Sequence, residues 1–132
     1  GLIMMQTGWL WVAPVTSIII VVVIVWGTWG LLRESMAISL AAVPAGIDPA
    51  AVRSHLSGLP GVASVHDLHI WSMGTTDIAL TAHLVMPAGH PGDHFLVTAG
   101  QELEHRFRIG HATLQIEVSE TVRCALEADH VV

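Results

Sequence analysis

Two patterns of apolar and polar residues divide this chain. Residues 14–33, PVTSIIIVVVIVWGTWGLLR, are apolar almost without interruption. Crossing a hydrocarbon layer of about 30 Å takes roughly 20 helical residues at about 1.5 Å each, so the run is long enough to span. Its β-branched centre would suit a buried strand in water. In lipid a helix is favoured, because it satisfies its own backbone hydrogen bonds. Pro14 fits the first turn, where amides lack intrahelical partners. Trp9 and Trp11 near one end and Trp26 and Trp29 nearer the other sit where interfacial aromatics are found. The pattern predicts a transmembrane helix over 13–34. Residues 1–12 are apolar but too short to span. They read as the remnant of a preceding helix and a turn at Thr7-Gly8, as in a piece cut from a longer membrane protein. A secretory signal is disfavoured, since no basic residue precedes Arg33 and the apolar core is long. Arg33, directly after the span, places the C-terminal side in the cytoplasm; the expected location is the inner, cytoplasmic membrane.

After a linker over 35–46 the pattern changes to that of a water-soluble domain, 47–120, with a tail over 121–132. Asp48 is a helix N-cap and Pro49 suits the first helical position. The following helix carries Val52, Leu56 and Leu59 on one side and stops at Pro60-Gly61. Segments 62–72 and 77–86, joined by Met73-Gly74-Thr75-Thr76, read as a β-hairpin. Segment 93–107 is helical, with Phe95, Leu96, Ala99, Leu103 and Phe107 at core spacing. Segment 112–118 is a third strand. The predicted fold is α+β: one transmembrane helix followed by a small αββαβ sandwich of one sheet and two helices.

Strand alternation separates two faces of that sheet. Leu68, Ile70, Ile78, Leu80, Ala82, Leu84, Leu114 and Ile116 supply the apolar face under the helices. Asp67, His69, Trp71, Asp77, Thr81, His83, Thr113, Gln115 and Glu117 take the other, while His66 has core parity near a strand end. An exposed Trp71 beside Val65 and Ala79 calls for cover, either from another domain or from a second copy in a symmetric dimer.

Charge then narrows the chemistry. Residues 1–32 contain no Asp, Glu, Lys, Arg or His, and the net charge of −6 falls on the soluble part. An acidic domain argues against nucleic acid, which needs basic residues against phosphate. All nine His lie between His55 and His130. The single Cys124 excludes an internal disulfide. Divalent ions such as Zn²⁺ favour imidazole nitrogen and carboxylate oxygen from separate elements. His83 and Glu117 on neighbouring strands, with His66 or His94 from the sheet edge, would make such a set. The competing reading is that these are ordinary polar groups on a solvated sheet face. His55 reads as a surface residue, and Cys124 with His130 as either a second small site or a frayed tail.

LPGVASVHDLHIW (59–71), LTAHLV (80–85) and HATLQIE (111–117), in this order, resemble the cytoplasmic domain of the cation diffusion facilitator family, in its cadmium–zinc–cobalt efflux branch. TGWLWVAPVTSIII and LLRESMAISLAAVPAGID resemble that family's last transmembrane helix and its link to the domain. The resemblance implies a dimeric, six-helix exporter exchanging Zn²⁺, Cd²⁺ or Co²⁺ for protons, with a metallochaperone-like cytoplasmic domain that binds metal near its dimer interface. It carries the domain's ligands onto His66, His83 and His94. Two further ligand positions, often His and Asp elsewhere, fall on Gln115 and Glu117; Gln is a poor zinc ligand. The family's intramembrane transport site would lie before Gly1, and Ala13 stands where an Asp usually precedes the Pro of the last helix.

These readings converge on the C-terminal portion of a proton-coupled divalent cation efflux transporter. Its roles would be homodimerisation through the cytoplasmic domain and cytoplasmic metal sensing, without transport by this chain alone. The alternative is a free-standing, membrane-tethered metal-binding or buffering protein. No nucleophile or paired-acid motif suggests an enzyme.

Overall fold

A computed structural model of the protein describes residues 11–119. The expectations for residues 1–10 and for the tail with Cys124 and His130 fall outside them. The chain divides into two compact units, 1–36 and 37–132.

Helix α1 spans Val12–Ser39, buries none of its residues and is apolar on every side. Among the described residues it is the one helix long and apolar enough to cross a membrane. Both of its threonine hydroxyls bond locally: Thr16 Oγ1 donates to the carbonyls of Val12 and Ala13, both at 2.9 Å, and Thr28 Oγ1 to that of Ile24 at 2.9 Å. Such back-bonding suits a segment with no water to solvate a hydroxyl. The helix runs past the end expected at Glu34, because Ser35, Met36, Ala37 and Ile38 contain no breaker. It stops where Ala41 turns left-handed, at φ 50°. There the Ala42 amide donates to Ala37 O at 2.9 Å and the Ala41 amide to Ile38 O at 3.1 Å, the bonding pattern of a Schellman cap.

The second unit follows the predicted order, with α2 (Pro49–Ser57), β1 (Ser64–Ser72), β2 (Ile78–Val85), α3 (Asp93–Phe107) and β3 (His111–Glu117). Asp48 caps α2 by accepting the Ala50 amide at 2.9 Å. The sheet order is β1-β2-β3. β1 and β2 form the antiparallel hairpin, closed by Met73 N–H to Asp77 O at 2.8 Å. β3 returns parallel to β2 after the α3 crossover. Val52 and Leu56 of α2 and Leu103 of α3 pack with Leu68, Ile70, Leu80, Ala82 and Leu84, so both helices cover one face of the sheet.

Parity fails at one place. His66 pairs with His83 and His69 with Thr81, so Asp67 and Leu68 together face a single residue of β2. This is a β-bulge, and Asp67 adopts φ 49° within it. The extra residue reverses the alternation. Before the bulge, Val65 pairs with Leu84 and packs on the core; after it, Leu68 and Ile70 do so. His66 therefore lies on the face of His83, contrary to the core parity read from the sequence, and Val65 leaves the Trp71 face.

Two further expectations change. Trp71 is half-buried rather than exposed, in a groove formed with Ala41, Ala42, Val43 and Thr81. His55 is packed rather than superficial: its side chain is 9% exposed, with Glu102 Oε2 3.2 Å from Nε2 and the Phe107 ring 5.6 Å away.

Candidate metal site

The site is built at the end of the sheet where β1 enters and β3 leaves. Arg53 of α2 donates to Val65 O at 2.8 Å and holds the strand just before His66. Ala63 N–H donates to Val85 O at 2.8 Å, and Met86 N–H to Glu117 O at 2.7 Å, tying the ends of all three strands together. His83 is central: it pairs with His66 on one side and with Gln115 on the other, while Glu117 lies opposite Val85.

On this frame His66, His83 and Glu117 each bring one ligand atom to within 4.8 Å of the others. His83 Nδ1 lies 2.9 Å from Glu117 Oε1, and His66 Nε2 lies 3.2 Å from Glu117 Oε2. The two imidazoles meet edge to face with centroids 5.2 Å apart. The three side chains are 16%, 11% and 17% exposed, respectively, well shielded for groups of this polarity. His66 Nε2 is buried and makes no hydrogen bond, with Glu117 Oε2 3.2 Å away as an ion-pair neighbour; His55 Nε2, 3.2 Å from Glu102 Oε2, is in the same state. A buried polar atom left in this way is unusual, because it forfeits solvation without compensation.

A divalent metal ion between the side chains of His66, His83 and Glu117 would account for it at His66. Zn²⁺ held tetrahedrally at about 2.0–2.2 Å needs ligand atoms roughly 3.3 Å apart; each imidazole nitrogen lies 2.9 or 3.2 Å from a Glu117 oxygen, and one atom from each residue falls within 4.8 Å of the others. Two imidazole nitrogens and one carboxylate oxygen suit a borderline divalent cation. Such an ion would neutralise Glu117 and take the lone pairs that now face it.

The other sequence candidates occupy different positions. Gln115 is exposed on β3 and donates from Nε2 to Glu117 Oε1 at 3.2 Å, so it orients the carboxylate. His94 is exposed in the first turn of α3 and is outside the cluster. Asp67, placed on the polar face by the sequence but not among the ligand candidates, has its Oδ2 3.4 Å from His83 Nε2 and its Oδ1 2.9 Å from His69 Nε2. The His-Asp-Leu-His run and the shared face were the available signals, but only the structure shows this carboxylate beside His83.

The family model described as cation efflux protein, cytoplasmic domain, matches residues 44–119. The chain belongs to the cation efflux protein family. Among its relatives, the metal cation efflux system protein CzcD of Cupriavidus metallidurans is 36% identical over 120 residues, covering 90% of this chain and 38% of that protein. A probable zinc transporter protein of Dictyostelium discoideum is 38% identical over 117 residues, covering 88% of this chain and 21% of that protein. The chain thus spans well under half the length of these relatives. Among solved structures, the metal-bound C-terminal domain of the CzcD transporter from Cupriavidus metallidurans is 35% identical, with a TM-score of 0.48, and the match covers 54% of this chain and 99% of that one. As a cation efflux domain, the soluble unit has its matched segment ending just past Glu117, so the whole His66–His83–Glu117 cluster falls inside it.

Proposed function

We propose that this chain supplies a membrane helix and a metal-responsive cytoplasmic domain to a divalent cation efflux transporter. The observation that carries the reading is the convergence of His66, His83 and Glu117, whose ligand atoms lie within 4.8 Å of one another in a shielded position. These residues hold Zn²⁺, or Cd²⁺ or Co²⁺ with the same donors, and leave a position for a further ligand. Gln115 of this chain, or His94 of a second copy, can complete it.

The function of the bound ion is regulatory. The soluble part is strongly acidic, so two copies repel one another until a cation neutralises carboxylate charge between them. Metal binding then favours the dimer and biases the attached membrane helices, a shift that follows from differential affinity for the two states. Residues 1–32 contain no ionisable side chain. Intramembrane cation transfer depends on such groups, so this reading assigns sensing and assembly to the chain, in the cytoplasmic membrane with the soluble unit inside the cell.

Zinc titration of the full chain in detergent, followed by calorimetry, tests the proposal. The wild type binds zinc, while His83→Ala and Glu117→Ala each lose at least about tenfold in affinity, since each removes one of three donors. Equal affinity in all three, or none in the wild type, refutes the site.

A further inference from the structure

The central imidazole of the cluster has two carboxylates, one at each nitrogen. His83 Nδ1 faces Glu117 and the proposed metal position, whereas Nε2 faces Asp67 Oδ2 at 3.4 Å. A metal takes a nitrogen lone pair, so the hydrogen of a metal-bound His83 must sit on the other nitrogen. A carboxylate only accepts, and Asp67 is placed to receive that hydrogen from Nε2. The arrangement is that of a carboxylate behind a ligating histidine, which holds ring orientation and raises ligand basicity.

Asp67 has a second connection to the site. It is the residue at φ 49° in the bulge, and that bulge turns His66 onto the face of His83. Asp is among the few residues with a side chain that enter the left-handed region readily. Its side chain is only 20% exposed and is braced from the far side by His69 Nε2 at 2.9 Å.

We propose that Asp67 is a positioning residue for the metal site: its Oδ2 holds the Nε2 hydrogen of His83 so that Nδ1 ligates, while its backbone brings His66 alongside. The inference rests on the metal-site reading above. It concerns a residue that does not touch the ion, and it specifies which nitrogen of His83 does.

The test uses the full chain in detergent, loaded with zinc for affinity and with cadmium for NMR of the imidazole nitrogens. Asp67→Gly keeps the left-handed backbone accessible and deletes the carboxylate. In the wild type the cadmium coupling falls on His83 Nδ1, with the hydrogen on Nε2. In Asp67→Gly coupling spreads to both nitrogens and zinc affinity falls about 10- to 100-fold, the range for losing such a supporting group. A merely structural role would not redistribute the coupling. Unchanged affinity with coupling still confined to Nδ1 in Asp67→Gly overturns the proposal, as does wild-type coupling at Nε2. If Asp67→Gly does not fold, Asp67→Ala, which also lacks the acceptor, decides by the same readouts: coupling spread over both nitrogens supports the role, and coupling still confined to Nδ1 at wild-type affinity overturns it. Failure of the wild type to bind either metal would instead overturn the site reading itself.

Discussion

In α1 every residue from Ile18 to Val25 is more than half exposed, whereas Leu80 and Leu84 in β2 are 1% and 0% exposed. The two regions have similarly apolar sequences and use them oppositely. α1 presents β-branched side chains outward all round, which is stable only where the surroundings are themselves apolar. β2 buries one set of side chains under α2 and α3 and places His83, from the other set, in the candidate site. Apolarity in the first region is therefore addressed to a solvent, and in the second to specific neighbours. Mutations should separate the two uses.

The largest effect is expected from Leu84→Ala. Truncating this fully buried side chain leaves a cavity and should lower the stability of the soluble unit by about 2–5 kcal/mol, read from urea unfolding of the full chain in detergent. The matching change in α1, Ile20→Ala, should leave that unfolding transition within about 0.5 kcal/mol, because no buried contact is lost. An equal loss from both changes would break the comparison. Next comes Val22→Asp, which puts a charge at the centre of α1. It should disfavour membrane insertion by about 2.5–3.5 kcal/mol, measured as the inserted fraction in a glycosylation-mapping assay. Unchanged insertion would mean that this part of α1 does not lie in hydrocarbon.

Smaller effects sharpen the boundaries of the two regions. Asp48→Ala removes the acceptor of the Ala50 amide and should cost about 1 kcal/mol, visible as a lower unfolding midpoint with α2 otherwise intact. Ala41→Gly relieves a left-handed alanine at the end of α1 and should stabilise the cap by up to about 1 kcal/mol. The readout is slower amide exchange at Ala41 and Ala42. Faster exchange there would show that the cap is not held by the geometry described.

The long span, the αββαβ order and the core of Leu56, Leu80, Leu84 and Leu103 were all legible in the sequence. Each rests on a local signal: length of an uncharged run, a cap followed by proline, or period-two and period-3.6 alternation. The helix end at Ser39 was not legible, since no glycine marks it and an alanine takes the left-handed position. Of the candidate ligands, His83 and Glu117 followed from alternation along regular strands. His66 did not, because one extra residue at Asp67 reverses the parity on which the reading of β1 depended.

From its order of residues alone, the chain determined that it carries a lipid-length apolar segment, then an acidic, histidine-rich unit of two helices on one sheet. Those properties depend on composition and on neighbours a few positions apart. Folding decided which imidazoles share a site, since the bulge at Asp67 turns Val65 and His66 to the faces opposite those that unbroken alternation with Leu68 and Ile70 would give them. It also decided that one carboxylate stands behind His83 and that His66 Nε2 is enclosed without a hydrogen-bond partner. Those facts belong to residues distant in sequence, and only strand register brings them together.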